Sequence, residues 1–205
     1  STKLKSSYGT GFRFPSLYEI FYIDNKYDEL SRAENSESFD IGIEKFFLNL
    51  GLNIDASYFN VKYHDTLEAW NTSGWATQNL PGTVKSQGLE LITKWKKSEA
   101  LNFGLNYTYT STYDGAEADD PDRNQSYTNN QIVRVPRHIF NLATKIKIPN
   151  YENLDLTINT KWSDMTRDYG NGNRTWSDER TDDYLVNDLS IKYNYMNTYN
   201  LFFDI

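Results

Sequence analysis

The residues with the widest chemical repertoire in this 205-residue chain are few and scattered. There are two histidines, His64 and His138, and no cysteine, so a disulfide framework, a thiolate metal site and a cysteine nucleophile are all excluded. The histidines lie far apart in sequence, and no serine or carboxylate spacing around them builds a catalytic constellation. Gly9-Thr10-Gly11 lacks both the third glycine and the following helix of a dinucleotide fingerprint. No phosphate loop or His-Glu-x-x-His zinc motif occurs. Two acidic stretches, Asp114 to Asp122 (with Glu117, Asp119 and Asp120) and Ser177 to Asp183, offer oxygen ligands to calcium. Neither follows the spacing of a calcium loop, which must converge six to eight oxygens, and solvated loops are the better explanation of both. The remaining binding chemistry is aromatic and cationic. Tyr18, Tyr22, Trp70, Trp75 and Trp176 present flat rings suited to bulky planar ligands, or to packing between loops. Arg123 and Arg174 are suited to bidentate capture of carboxylates. The reading is of a binding protein, not an enzyme, with no cofactor of its own.

Every one of these seven candidates lies outside the regular elements, so the elements must explain how they are held. Counting Gly but leaving out Tyr, the apolar content is about 36%, below the roughly 45–50% of ordinary globular domains. Aromatic residues nevertheless reach 16%, with 16 Tyr, 11 Phe and 5 Trp. Such a chain is not disordered. Its net charge of −7 is wrong for a nucleic-acid partner, which needs a basic face.

The period is two. Leu101, Phe103, Leu105, Tyr107 and Tyr109 alternate with Asn102, Gly104, Asn106, Thr108 and Thr110, giving a strand with one apolar and one polar face. Nine such segments are predicted, near 2–13, 36–47, 50–64, 83–96, 100–113, 132–148, 153–167, 184–194 and 199–205. Their connections alternate strictly between long (14–35, 65–82, 114–131, 168–183) and short. A soluble sandwich has no reason to put every long loop at one end, whereas an outer-membrane barrel does. The segments are also long enough to span a bilayer as tilted strands. On this parity Asp40, Glu44, Asp55, Glu90, Lys94, Lys145, Lys147, Asp155, Lys161, Asp188 and Lys192 face a polar lumen. Phe47, Trp95, Tyr193 and Tyr199 near the short turns, and Phe12, Tyr63, Tyr113, Trp162 and Tyr184 near the long loops, are expected to form two interfacial girdles. Gly9, Gly11, Gly42, Gly88 and Gly104 are expected on the lumenal face, leaving room for close approach. The expected fold is all-β: an antiparallel up-and-down transmembrane barrel, of which residues 1–205 form an open part.

Several blocks resemble the TonB-dependent outer-membrane receptors. The run Tyr8-Gly9-Thr10-Gly11-Phe12-Arg13-Phe14-Pro15-Ser16-Leu17-Tyr18-Glu19 is similar to a family signature. Leu30, Glu34, Ser36, Phe39 and Gly42, then Asp55-Ala56-Ser57-Tyr58-Phe59, Asn79-Leu80-Pro81-Gly82 and Gly88-Leu89-Glu90, follow in family order. The usual prolines of the second block are missing at Ser31-Arg32-Ala33-Glu34. The resemblance extends over essentially all 205 residues and is nearest the vitamin B12 and iron-siderophore branch. It implies about nine strands of a 22-stranded barrel in the bacterial outer membrane, with the plug domain and closing strand lying elsewhere. It further implies lipid around the barrel, a plug in the lumen, coupling to TonB through the plug side, and an iron-siderophore or corrinoid ligand at the loops. In that setting Arg123 and Arg174 are partners for siderophore carboxylates. The rival expectation is a passive channel or adhesion barrel without a plug; an outer-membrane phospholipase or protease barrel comes third.

Overall fold

Alternating apolar and polar side chains give a single sheet one apolar and one polar face, and that is the arrangement found. In a computed structural model, nine long strands form a single antiparallel meander. The structure describes residues 1–17, 32–68, 78–79, 82–115, 132, 134–148, 150–151, 153–167, 180–195 and 199–205. The strands are β1 (Thr2–Arg13), β2 (Glu34–Phe47), β3 (Leu52–His64), β6 (Thr83–Lys96), β7 (Leu101–Asp114), β8 (His138–Lys147), β9 (Leu154–Ser163), β12 (Tyr184–Tyr195) and β13 (Tyr199–Asp204). Between them lie two-residue strands, β4 (Leu67–Glu68) paired with β5 (Gln78–Asn79), and β10 (Thr166–Arg167) paired with β11 (Arg180–Thr181). Each long strand pairs with the next, so the chain runs up and down without a crossover.

Register fixes which side chains share a face. Ile43, Ala56, Leu91, Tyr107, Phe140, Trp162 and Leu185 stand in one continuous row across seven strands. One residue along, Glu44, Asp55, Ile92, Asn106, Asn141, Lys161 and Val186 make the adjacent row on the opposite face. All eleven charged residues assigned to the lumen fall on this second face. Lys147, Asp155 and Lys192 alternate in sign along one of its rows. Two girdle assignments need correction. Tyr63 pairs with Ser36 and Val84, and Tyr184 with Ser163, so both belong to the polar face. Lys161 accordingly reaches over the Tyr184 ring, 5.8 Å from its centre.

Among the described residues no large side chain is fully buried, and Leu4, Ile41, Ile43, Leu89, Leu185 and Leu201 are exposed. In β2 the outward Phe39, Ile41 and Ile43 are exposed while Ser38, Asp40, Gly42 and Glu44 on the other face are half-buried. A contiguous apolar face of this extent marks an interaction surface.

The short turns are built tightly. A 3-10 turn, Leu48–Leu50, joins β2 to β3 and closes on Gly51, which sits in the left-handed region at φ 59° and donates its N–H to the Leu48 carbonyl at 3.2 Å. Any Cβ there would stand 2.6 Å from the Lys96 carbonyl oxygen, so glycine is required for space as well as for backbone angle. Next to it, the Trp95 indole N–H donates to the Leu50 carbonyl at 3.0 Å while its ring stacks on Phe103.

Two strands are shorter than the periodicity predicts. The segment 132–148 forms strand only from His138. Pro136 has no N–H to give to a ladder, Arg134 sits at φ 61°, and pairing ends where Thr110 donates to the Arg137 carbonyl at 2.8 Å. The segment 153–167 breaks after Ser163, where the Asp164 carboxylate takes the Met165 N–H at 2.9 Å. Beyond that break, Thr166 and Arg167 pair away from the main sheet with Arg180 and Thr181.

Candidate functional site

The end of the sheet that carries the long connections holds the densest polar network among the described residues. Arg13, at the last position of β1, donates its Nε–H to Glu34 Oε2 at 2.5 Å. The other Glu34 oxygen accepts the backbone N–H of Leu67 at 2.6 Å, so one carboxylate ties β1, β2 and the base of the third connection. Beside it, Arg32 donates through its outer guanidinium nitrogen to Asp65 Oδ1 at 2.8 Å. Asn79 then joins the remaining ends. Its amide N–H groups donate to the carbonyls of Asp65 at 2.6 Å and Arg32 at 3.0 Å, and its Oδ1 accepts the Arg32 N–H at 2.6 Å. Asp65 stands at φ 54°, a conformation that aspartate tolerates better than most residues, and the network holds both its carboxylate and its carbonyl.

Arg13, Glu34 and Asn79 come from three separate sequence blocks, the ones singled out as a resemblance, and the fold brings them into one junction. Arg32 and Asp65 were not legible as participants. Their only sequence signal is their position just outside a strand end.

The last long connection is also fastened at its described base. The Trp162 indole N–H donates to Asp183 Oδ2 at 3.1 Å, and Thr166 and Thr181 hydroxyls share a 2.7 Å hydrogen bond across β10 and β11. The predicted ligand contacts Tyr18, Tyr22, Trp70, Trp75, Arg123, Arg174 and Trp176 all lie outside the described residues, as do 116–122 of the first acidic stretch and 177–179 of the second. Among the described residues no group of carboxylates and histidines is arranged to hold a metal ion. The two histidines keep separate partners: His64 shares a hydrogen bond with the Thr83 hydroxyl at 3.2 Å, and His138 with the Tyr107 hydroxyl at 2.8 Å.

On the polar face, towards the short turns, lies an open hollow of about 480 Å³. Gly104 and Ala143 face each other as its floor, between Lys94 on one side and Lys145 nearby, with Asn53 and Asn102 at its wall. Asn53 donates to Glu44 at 3.0 Å, but its own Oδ1 is buried without a partner. Further up this face Lys5 reaches from β1 past β2 to Asp55 on β3 at 2.5 Å. Gly9 and Gly11 stand opposite Ser38 and Ser36, whose hydroxyls occupy part of the space left by the missing side chains.

A nine-stranded meander with one polar face, one apolar face and all long connections at one end is what a wall of a barrel requires, and the sequence decides which kind. The family model described as TonB dependent receptor-like, beta-barrel, matches residues 1–205. The chain belongs to that family. TonB-dependent receptors are transport receptors of the bacterial outer membrane and not enzymes, so the long connections are extracellular and the polar face is lumenal. Solved structures agree on the fold. The ferripyoverdine receptor of the outer membrane of Pseudomonas aeruginosa aligns with a TM-score of 0.71 at 17% identity, over 99% of this chain and 26% of that one. The siderophore receptor PiuA from Acinetobacter baumannii aligns with a TM-score of 0.74 at 20% identity, over 99% of this chain and 29% of that one. The copper transporter OprC aligns with a TM-score of 0.71 at 15% identity, over 98% of this chain and 30% of that one. This chain therefore spans less than a third of the length of these receptors. A search of curated proteins by sequence found no match.

Proposed function

We infer that the chain forms part of the barrel wall of a TonB-coupled importer whose extracellular loops capture an iron-siderophore complex. The observation that carries this reading is the family match over residues 1–205, joined to loop composition. Rings at Tyr18, Tyr22, Trp70, Trp75 and Trp176 supply flat contact area at low entropic cost, and Arg123 and Arg174 supply bidentate donors for chelator carboxylates. Of the three receptors compared above, one is named a siderophore receptor and another a ferripyoverdine receptor. A corrinoid ligand remains the second choice within the same family.

In this reading the Arg13–Glu34–Asn79 junction sets where the first two capture loops leave the wall. The lumenal face receives the plug, with Lys94 and Lys145 available to its carboxylates, and TonB acts on that plug to open the path. The barrel residues bind, orient and line the path; they break no bond.

The test is uptake by the full-length receptor in cells lacking other siderophore receptors, with and without TonB. Radiolabelled ferric siderophores and labelled cobalamin are offered in parallel. TonB-dependent entry of iron is expected, and Trp70→Ala with Trp75→Ala, or Arg123→Ala with Arg174→Ala, should weaken capture about tenfold, as anchors of these types do elsewhere. Entry of cobalamin alone would move the ligand assignment to corrinoids. Equal, TonB-independent entry of small solutes would replace this reading by that of a passive channel.

A further inference from the structure

Two lysines stand directly opposite each other on the lipid-facing side of the barrel. Lys62 on β3 pairs in register with Lys85 on β6, and both share a face with Tyr58, Leu89 and Tyr109. Like charges at directly opposed positions repel, so the pair needs an anion. Among the described residues no carboxylate lies within ion-pair distance of either lysine. Glu37, the register partner of Lys62 on its other side, offsets one of the two charges and leaves the row Glu37, Lys62 and Lys85 with a net positive charge. Lys85 lies over the Tyr113 ring, 5.8 Å from its centre, and this holds the ammonium at the outer surface.

Depth says what that anion is. Trp95, opposite Leu52, marks the lower edge of the apolar band, and each lysine is ten residues further along its strand. At about 3.3 Å per residue and a tilt of about 40°, ten residues rise about 25 Å, the height of the apolar band of an outer-membrane barrel. The lysines therefore emerge at the level of the outer-leaflet headgroups. Below them Tyr58 and Asn60 both donate to the Gln87 side-chain oxygen, at 3.2 and 3.1 Å, so the polar groups nearest the band satisfy one another and leave the lysines as the open donors.

We propose that Lys62 and Lys85 form a binding site for the phosphate of an outer-leaflet glycolipid, with Tyr113 as its side wall. The site is separate from ligand capture, because it lies on the face turned away from the lumen. It ties the wall beneath the second long loop to the surrounding lipid.

The experiment uses the full-length receptor in mild detergent, incubated with a bisphosphorylated acyl-glucosamine lipid or its dephosphorylated form and read by native mass spectrometry. The native protein should retain the phosphorylated lipid at least fivefold better. Lys62→Gln with Lys85→Gln should abolish that preference, and Lys62→Arg with Lys85→Arg should keep it. Lys45→Gln with Lys97→Gln, which removes two aromatic-capped lysines at the short-turn end, should leave it unchanged. No preference in the native protein, a preserved preference in the Gln pair, or equal loss in both Gln pairs overturns the proposal. If the Lys62/Lys85 Gln pair does not fold, the single Lys85→Gln variant must at least halve the preference, and an unchanged value overturns it.

Discussion

Arg13 and Glu34 meet at 2.5 Å across the open end of the first hairpin, and the second oxygen of the same carboxylate is committed to the Leu67 backbone. The Glu34 side chain is only 20% exposed, so its charge is partly desolvated and its partners matter more than in a typical surface pair. Glu34→Ala should release both links at a cost of about 1–2 kcal/mol to the local structure. Proteolysis within the connections 14–33 and 69–77 should then quicken about tenfold, while the rest of the sheet stays resistant. Glu34→Gln keeps an acceptor for Leu67 and should fall between. Unchanged cleavage in the alanine variant would show that the junction does not hold the loops.

How that junction was legible is instructive. Arg13, Glu34 and Asn79 were visible as members of recurring blocks, yet nothing in period-two patterning says that residues 66 positions apart share a site. Their meeting depends on register, and register was correctly implied by the alternation. Arg32 and Asp65 were invisible because arginine and aspartate beside a strand end are ordinary loop residues; only the left-handed turn at Asp65 gives them their geometry. The strand ends were less legible than the strands. Pro136 and Asp164 each stop a ladder that apolar alternation would have carried further, the first by lacking a donor and the second by offering its own acceptor. Tyr63 and Tyr184 were misplaced because an aromatic near a strand end suggests a girdle whichever way its parity points.

The face assignment can be tested at two consecutive residues. Leu105 stands in the lipid-facing row with Thr93 and Leu142, and Asn106 in the lumenal row with Ile92 and Asn141. Leu105→Arg should destabilise the barrel by about 2–4 kcal/mol if it lies near the midplane, because the guanidinium must then sit in hydrocarbon. Asn106→Arg should cost far less, since the lumen is polar. Urea titrations of folding into vesicles measure both, and equal tolerance of the two would overturn the face assignment.

Gly88 offers a test of packing on the lumenal side. An ideal Cβ there would collide with the Tyr109 carbonyl oxygen and stand 2.7 Å from the tip of the Phe59 ring. The ring can turn away; the carbonyl belongs to the β6–β7 ladder and cannot move without opening it. Gly88→Ala should therefore destabilise by about 1–3 kcal/mol, the usual range for overpacking. Adding Phe59→Ala should fail to restore the loss. A full rescue in the double variant would place the strain in the ring and would contradict the close backbone approach.

At the opposite end of the barrel, electrostatics make a prediction about pH. In the turn between β6 and β7 the Lys96 ammonium donates to Glu99 Oε1 at 2.5 Å, and this hydrogen bond, followed by the charge of Lys96, holds the Glu99 carboxyl below its ordinary range. Lys147 adds a smaller pull in the same direction. Because the folded carboxyl is the stronger acid, the unfolded chain binds its proton first as pH falls. The favourable contribution is therefore complete above the unfolded carboxyl's range and is lost as pH drops through the lower, folded value. Lys96→Met should raise the Glu99 pKa towards the ordinary carboxylate value, read as a shifted carboxyl carbon titration in receptor labelled at glutamate. Lys147→Met should give a smaller rise. A Glu99 titration unmoved by Lys96→Met would show that the pair does not persist in solution.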